Sequence, residues 1–164
     1  MRRAFSILTV ILLFGPAAAW TQEGPSFDWF PGGAYDPSIP TPSSFLGYRI
    51  GDDFTPHHRL KAYLEAVAEA SDRVDLGVYG FSNEGRELFL LSITSPSNRP
   101  QVEEIRMNMG RLADPRSESQ TTLDAIISES PAVAWLSYNV HGSESAGTEA
   151  AILTVYQLAA GTDA

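Results

Sequence analysis

The chain contains no cysteine. That absence excludes thiol nucleophiles, disulfide bracing and cysteine-ligated metal, so any metal site must draw on His, Asp and Glu. Positive charge is also scarce: Lys61 is the sole lysine, and 11 basic residues face 20 acidic ones for a net charge of −9. An acidic surface of this kind argues against nucleic acid or an anionic membrane as the main partner. Long apolar runs are lacking too. Spanning a bilayer takes about 20 consecutive apolar residues, and no stretch of the sequence reaches that length.

The first residues read as an export signal. Arg2 and Arg3 give a positive start, Ala4 to Phe14 form an apolar run broken by Ser6 and Thr9, and Gly15-Pro16 breaks it. Ala17-Ala18-Ala19 then supply a small-residue cleavage pattern. Cleavage after Ala19 implies a secreted or periplasmic product with no stable membrane insertion; a retained anchor is the alternative. Losing Arg2 and Arg3 leaves nine basic residues against 20 acidic ones and takes the net charge from −9 to −11.

Residues 20–43 form a Pro/Gly-rich leader. Pro25, Pro31, Pro37, Pro40 and Pro42, with Gly24, Gly32 and Gly33, oppose both helix and ladder pairing. The leader's aromatics, Trp20, Phe27, Trp29, Phe30 and Tyr35, suit packing along a domain surface. Residues 44–164 constitute the domain. There Thr55 is placed to cap a helix with Pro56 at its first position, and Leu60, Tyr63, Leu64 and Val67 mark one buried face. Ser71 and Asp72 end that helix. Val74–Tyr79 and Glu87–Thr94 read as strands around a Gly80–Gly85 turn, an antiparallel hairpin.

Pro100 opens a further helix with Val102, Ile105, Met109 and Leu112 inward. A loop from Arg116 leads to a short helix around Leu123, Ile126 and Ile127. Ala132 to Val140 is almost continuously apolar, as in a strand buried on both faces, with Trp135 in the core. A last helix carries Ala150, Ile152, Leu153, Val155, Tyr156 and Ala159, with Gly161 as its stop. The expected class is α/β, a mixed sheet with helices on both faces. The sheet is expected to be incomplete because the chain stops early.

Between the apolar run and the last helix stands His141-Gly142-Ser143-Glu144. In open α/β sheets, ligands bind outside the carboxyl ends of strands. An imidazole and a carboxylate three residues apart can turn toward one point, and zinc favours such N and O ligands. The same pair could equally be a hydrogen-bonded structural contact. Other polar residues have plainer readings. His57 and His58 fall in a first helical turn, facing solvent. Glu84 and Arg86 flank a turn glycine, where a surface ion pair is expected. Glu149 in the first turn of the last helix suits the helix dipole, with contact to the metal pair as the alternative.

The segment Asn139-Val-His-Gly-Ser-Glu-Ser-Ala-Gly-Thr-Glu149 resembles the metal-binding segment of the zinc carboxypeptidases, peptidase family M14. Tyr79-Gly-Phe-Ser-Asn-Glu-Gly-Arg-Glu-Leu88 is similar to that family's hairpin, and Phe54-Thr-Pro-His-His58 leading into Tyr63 to its first helix. The similarity covers about Ser44 to Ala160. It implies a zinc-dependent hydrolase of peptide bonds acting on peptide or protein substrates, with His141 as first and Glu144 as second zinc ligand. The third ligand, the general-base glutamate and the substrate-carboxylate contacts are implied later than residue 164. No catalytic residue is therefore assigned here, and the chain alone is expected to be inactive. Ser143 stands where many members have an arginine that contacts substrate, so that contact is not carried over. Two other readings compete: an N-acyl amino acid amidohydrolase of the aspartoacylase-like group, usually intracellular, and a secreted binding module without catalysis.

Overall fold

The computed structural model describes residues 30–162. The chain divides into two units, Met1–Pro31 and Gly32–Ala164; of the first, only Phe30 and Pro31 are described. The export signal and the leader aromatics Trp20, Phe27 and Trp29 fall outside the described residues.

Near the start of the second unit, one residue of the Pro/Gly-rich stretch makes a ladder contact. Tyr35 forms an isolated antiparallel bridge with Gly161, with Asp36 N–H donating to Ala160 O at 2.8 Å and Thr162 N–H to Ala34 O at 2.9 Å. Pro37 blocks a longer ladder, because a proline has no N–H to give. The Tyr35 ring stacks on Tyr156 with centroids 5.0 Å apart, and its hydroxyl donates to Gln157 Oε1 at 2.6 Å. Tyr35 thus packs within the second unit, against Tyr156 and Gln157.

Helix α1, Pro42–Leu46, is a single turn set by its ends. The Thr41 hydroxyl accepts from Ser44 N–H, and Gly47 closes it in the left-handed region. Helix α2, His57–Ala70, starts after Pro56, which has no side-chain cap bond. Thr55 is not the cap; its polar groups are engaged elsewhere. Tyr63, Leu64 and Val67 are buried as their spacing requires, and Ser71 ends the helix. The Arg59 guanidinium donates to Leu46 O at 2.6 Å, joining α2 to the end of α1.

Strands β1, Val74–Phe81, and β2, Glu87–Ile93, form the expected antiparallel hairpin, with a register shift between Val78 and Gly80. The turn is tight: Gly85 N–H donates to Ser82 O at 2.9 Å and Ser82 N–H to Arg86 O at 2.8 Å. Glu84 and Arg86 pair across it at 2.7 Å. Gly85 has φ 74° with open space around a would-be Cβ, so only backbone strain opposes a side chain there. Gly85→Ala is therefore expected to cost about 1–2 kcal/mol, read as a lower thermal midpoint, whereas Gly110→Ala in a helix interior gains about 0.5–1 kcal/mol.

A 3-10 turn at Arg99–Gln101 leads into α3, Val102–Ala113. Arg99 reaches the Asp72 carbonyl and the Asp75 carboxylate, fixing this turn to the start of β1. Helix α4, Gln120–Glu129, is capped by Ser119, whose hydroxyl accepts from Thr122 N–H, and packs on α3. The expected inward residues of α3 are half-buried, and on α4 Ile126 is buried while Ile127 is exposed.

Residues 132–140 correct an expectation. They form no strand and pair with none; the sheet of the described residues is the β1-β2 hairpin alone. Val133, Leu136 and Val140 are exposed, and Trp135 is 77% exposed rather than core. The residue types favour burial on a pleated surface, but β propensity is realised only against neighbouring strands. No strand of the described residues pairs with this stretch.

Helix α5, Ala146–Ala160, lies on α2. Ile152, Val155, Ala159 and Ala160 join Ile39, Leu46, Tyr63, Leu64, Val67 and Val74 in one core, while Ala150 is exposed. Gly161 does end the helix, yet at φ −58°, not in the left-handed conformation; the Arg73 guanidinium donating to Gly161 O at 2.7 Å holds this end. Gly32–Ala164 is thus an open α/β arrangement, with a small antiparallel sheet and α1, α2 and α5 packed around one core, while α3 and α4 pack on each other.

Candidate metal site

The apolar stretch leaves its extended path at Asn139, the one non-glycine described residue with positive φ, at 53°. Asparagine tolerates the left-handed region better than most side chains, and here both ends of its amide are bonded. Thr148 Oγ1 donates to Asn139 Oδ1 at 3.2 Å, and Asn139 Nδ2 donates to Glu144 O at 3.4 Å. Gly147 makes the approach possible: a Cβ there would lie 3.1 Å from Asn139 N and 3.2 Å from its Oδ1. Asn139 was in the motif but had no assigned role. Its readable signal was an asparagine ahead of a glycine-bearing helix start.

Two further bonds shape the turn. Glu144 N–H donates to His141 O at 3.1 Å, and Gly147 N–H to Glu144 O at 3.0 Å. The result brings the predicted pair together, with His141 Nδ1 3.0 Å from Glu144 Oε1. Both side chains are exposed, at 73% and 60%. Ser143 is exposed beside them.

A nitrogen and an oxygen donor converging at an accessible point match the ligand chemistry of zinc. A catalytic zinc site uses three protein ligands, more than this pair alone provides. Among the described residues no group of three or more His, Cys, Asp or Glu side chains converges on one point. The other histidines stay apart from the pair. His57 does not face solvent: its Nε2 lies 2.9 Å from Glu87 O and its ring stacks on Phe89. His58 is exposed, as expected.

Glu149 also differs from a simple dipole partner. It is buried, at 9% exposure. Its Oε1 accepts Thr55 N–H at 2.7 Å and its Oε2 accepts the Thr55 hydroxyl at 3.0 Å. The Thr55 oxygen in turn accepts from the Tyr48 hydroxyl at 2.9 Å. Tyr48 and Thr55 carried no local sign of this role, because their partner is remote in sequence.

Compared with known proteins, residues 60–164 match the family described as zinc carboxypeptidase. No curated protein and no solved structure matches the chain.

Proposed function

Because the chain belongs to the zinc carboxypeptidase family, a family of peptide- and protein-cleaving hydrolases, we propose that His141 and Glu144 are zinc ligands of a peptide-bond hydrolase exported by residues 1–19. The observation that carries this reading is the 3.0 Å approach of His141 Nδ1 to Glu144 Oε1 inside the matched span. Residues 20–43 form the leader and 44–164 belong to the catalytic domain.

The chain's own groups make a holding device. Gly142 and Ser143 close the turn between the ligands, and the Asn139 amide fixes its far end through Glu144 O and Thr148. The imidazole contributes a nitrogen lone pair and the carboxylate an oxygen with negative charge. Both stay open to solvent, where a peptide can approach. Bound zinc supplies Lewis acidity toward the scissile carbonyl and acidifies water toward neutrality. Among the described residues no third ligand converges on the pair, and this reading takes that ligand and the proton-accepting carboxylate from later than residue 164.

Zinc affinity of the full chain, measured by competition with a chromophoric chelator, tests the assignment. Replacing His141 or Glu144 with alanine is expected to weaken binding by about tenfold or more, since oriented ligands set metal affinity. Unchanged affinity in both variants would sink the reading.

A further inference from the structure

The His141–Glu144 turn is exposed, so something buried must fix its position relative to the fold. Ile152 and the apolar residues after it seat the body of α5 on α2. Such contacts are non-directional and leave sliding or rotation of the first turn weakly opposed. Hydrogen bonds to an ionised group are directional and stronger than neutral ones. Glu149 is the one buried carboxylate among the described residues. A buried carboxylate is costly unless its oxygens are bonded, and here both oxygens are. The bonds run in one sense, Tyr48 hydroxyl to Thr55 hydroxyl to Glu149 carboxylate.

The place of this latch matters. Glu149 lies directly after Thr148, which holds Asn139, and two residues after Gly147, which donates to Glu144 O. One helical turn therefore carries the ligand turn on its exposed side and the Thr55 latch on its buried side. We infer that Glu149, held by Thr55 and Tyr48, is a positioning residue for the His141–Glu144 metal pair. The inference rests on the reading of that pair as zinc ligands. A role in stability alone would lower the thermal midpoint and leave the zinc affinity of folded molecules untouched.

The experiment uses the full chain and zinc ion as probe, at a temperature where circular dichroism shows each variant folded. Thr55→Val keeps shape and removes the hydroxyl; Thr55→Ser keeps the hydroxyl; Glu149→Gln removes the charge and one acceptor. Thr55→Val and Glu149→Gln are expected to weaken zinc binding about tenfold, the effect of losing a group that orients a ligand. Thr55→Ser is expected to stay within about twofold of the parent on the same ground. The His141 imidazole resonances, assigned by their loss in His141→Ala, should move in Thr55→Val and return in Thr55→Ser. If Glu149→Gln does not fold, the two Thr55 variants decide. Lowered thermal midpoints with unchanged affinity and unmoved His141 resonances would overturn the inference while His141→Ala still loses zinc. If His141→Ala keeps its zinc, the metal-pair reading itself fails, and the positioning role with it.

Discussion

Ile152→Ala is expected to lower the stability of the chain by about 2–5 kcal/mol, toward the upper part of that range. Ile152 is 0% exposed and sits on α5 among Tyr63, Val67 and Val74, which are also fully buried. The cost of deleting buried methyl groups depends on how far the surroundings collapse into the space. A ring and two β-branched side chains have few rotamers with which to fill it, so most of the cavity should persist. Thermal unfolding followed by circular dichroism reads the effect, with Leu158→Ala as control. Leu158 is on the same helix but exposed at 46%, and its loss should cost well under half as much. Equal losses in the two variants would show that α5 does not seat on α2 as described. The helix also carries Glu149, so unseating it should reach the His141–Glu144 pair as well.

Elements whose reasons are local were legible in the sequence. Tyr63, Leu64 and Val67 announce the buried face of α2 by spacing alone, and the polar link read at Gly80–Gly85 announces the hairpin. The His141–Glu144 contact was legible for the same reason, because three residues of separation across a glycine leave little freedom. What stayed hidden depends on partners remote in sequence. Thr55 has the composition of a helix cap, yet its N–H and hydroxyl are taken by Glu149, 94 residues away. Glu149 in a first helical turn satisfies the dipole argument whether exposed or buried, so residue type cannot separate the two. His57 reads as a solvent-facing first-turn residue until Phe89 arrives beneath it. The stretch from Ala132 to Val140 has the character of a central strand and lacks the neighbours that would make it one. Asn139 carries no such mark, because its importance lies in a backbone angle, which composition does not display.

Tyr63 supplies the second large effect and a pH signature. The ring is 0% exposed, packs edge-on against Phe45 at 5.5 Å, and donates its hydroxyl to Pro40 O at 3.2 Å. Tyr63→Ala is expected to cost about 3–5 kcal/mol, as for other large buried rings. Tyr63→Phe removes one neutral hydrogen bond and should cost about 1 kcal/mol near neutral pH. The two substitutions differ again in alkali. Burial, with a smaller contribution from Tyr156, pushes the Tyr63 phenol well above its ordinary value of 10.0. A raised folded-state value means that the unfolded chain releases the proton first. The stability tied to this group is therefore complete below about pH 10 and is lost progressively as pH rises toward the folded value. Tyr156 is shifted in the same direction, so stability still declines in Tyr63→Phe, but less steeply. Denaturant midpoints measured at intervals from neutrality into alkali should show the parent and Tyr63→Phe converging above about pH 10. Parallel curves over that range would mean that the Tyr63 hydroxyl is not buried in the core.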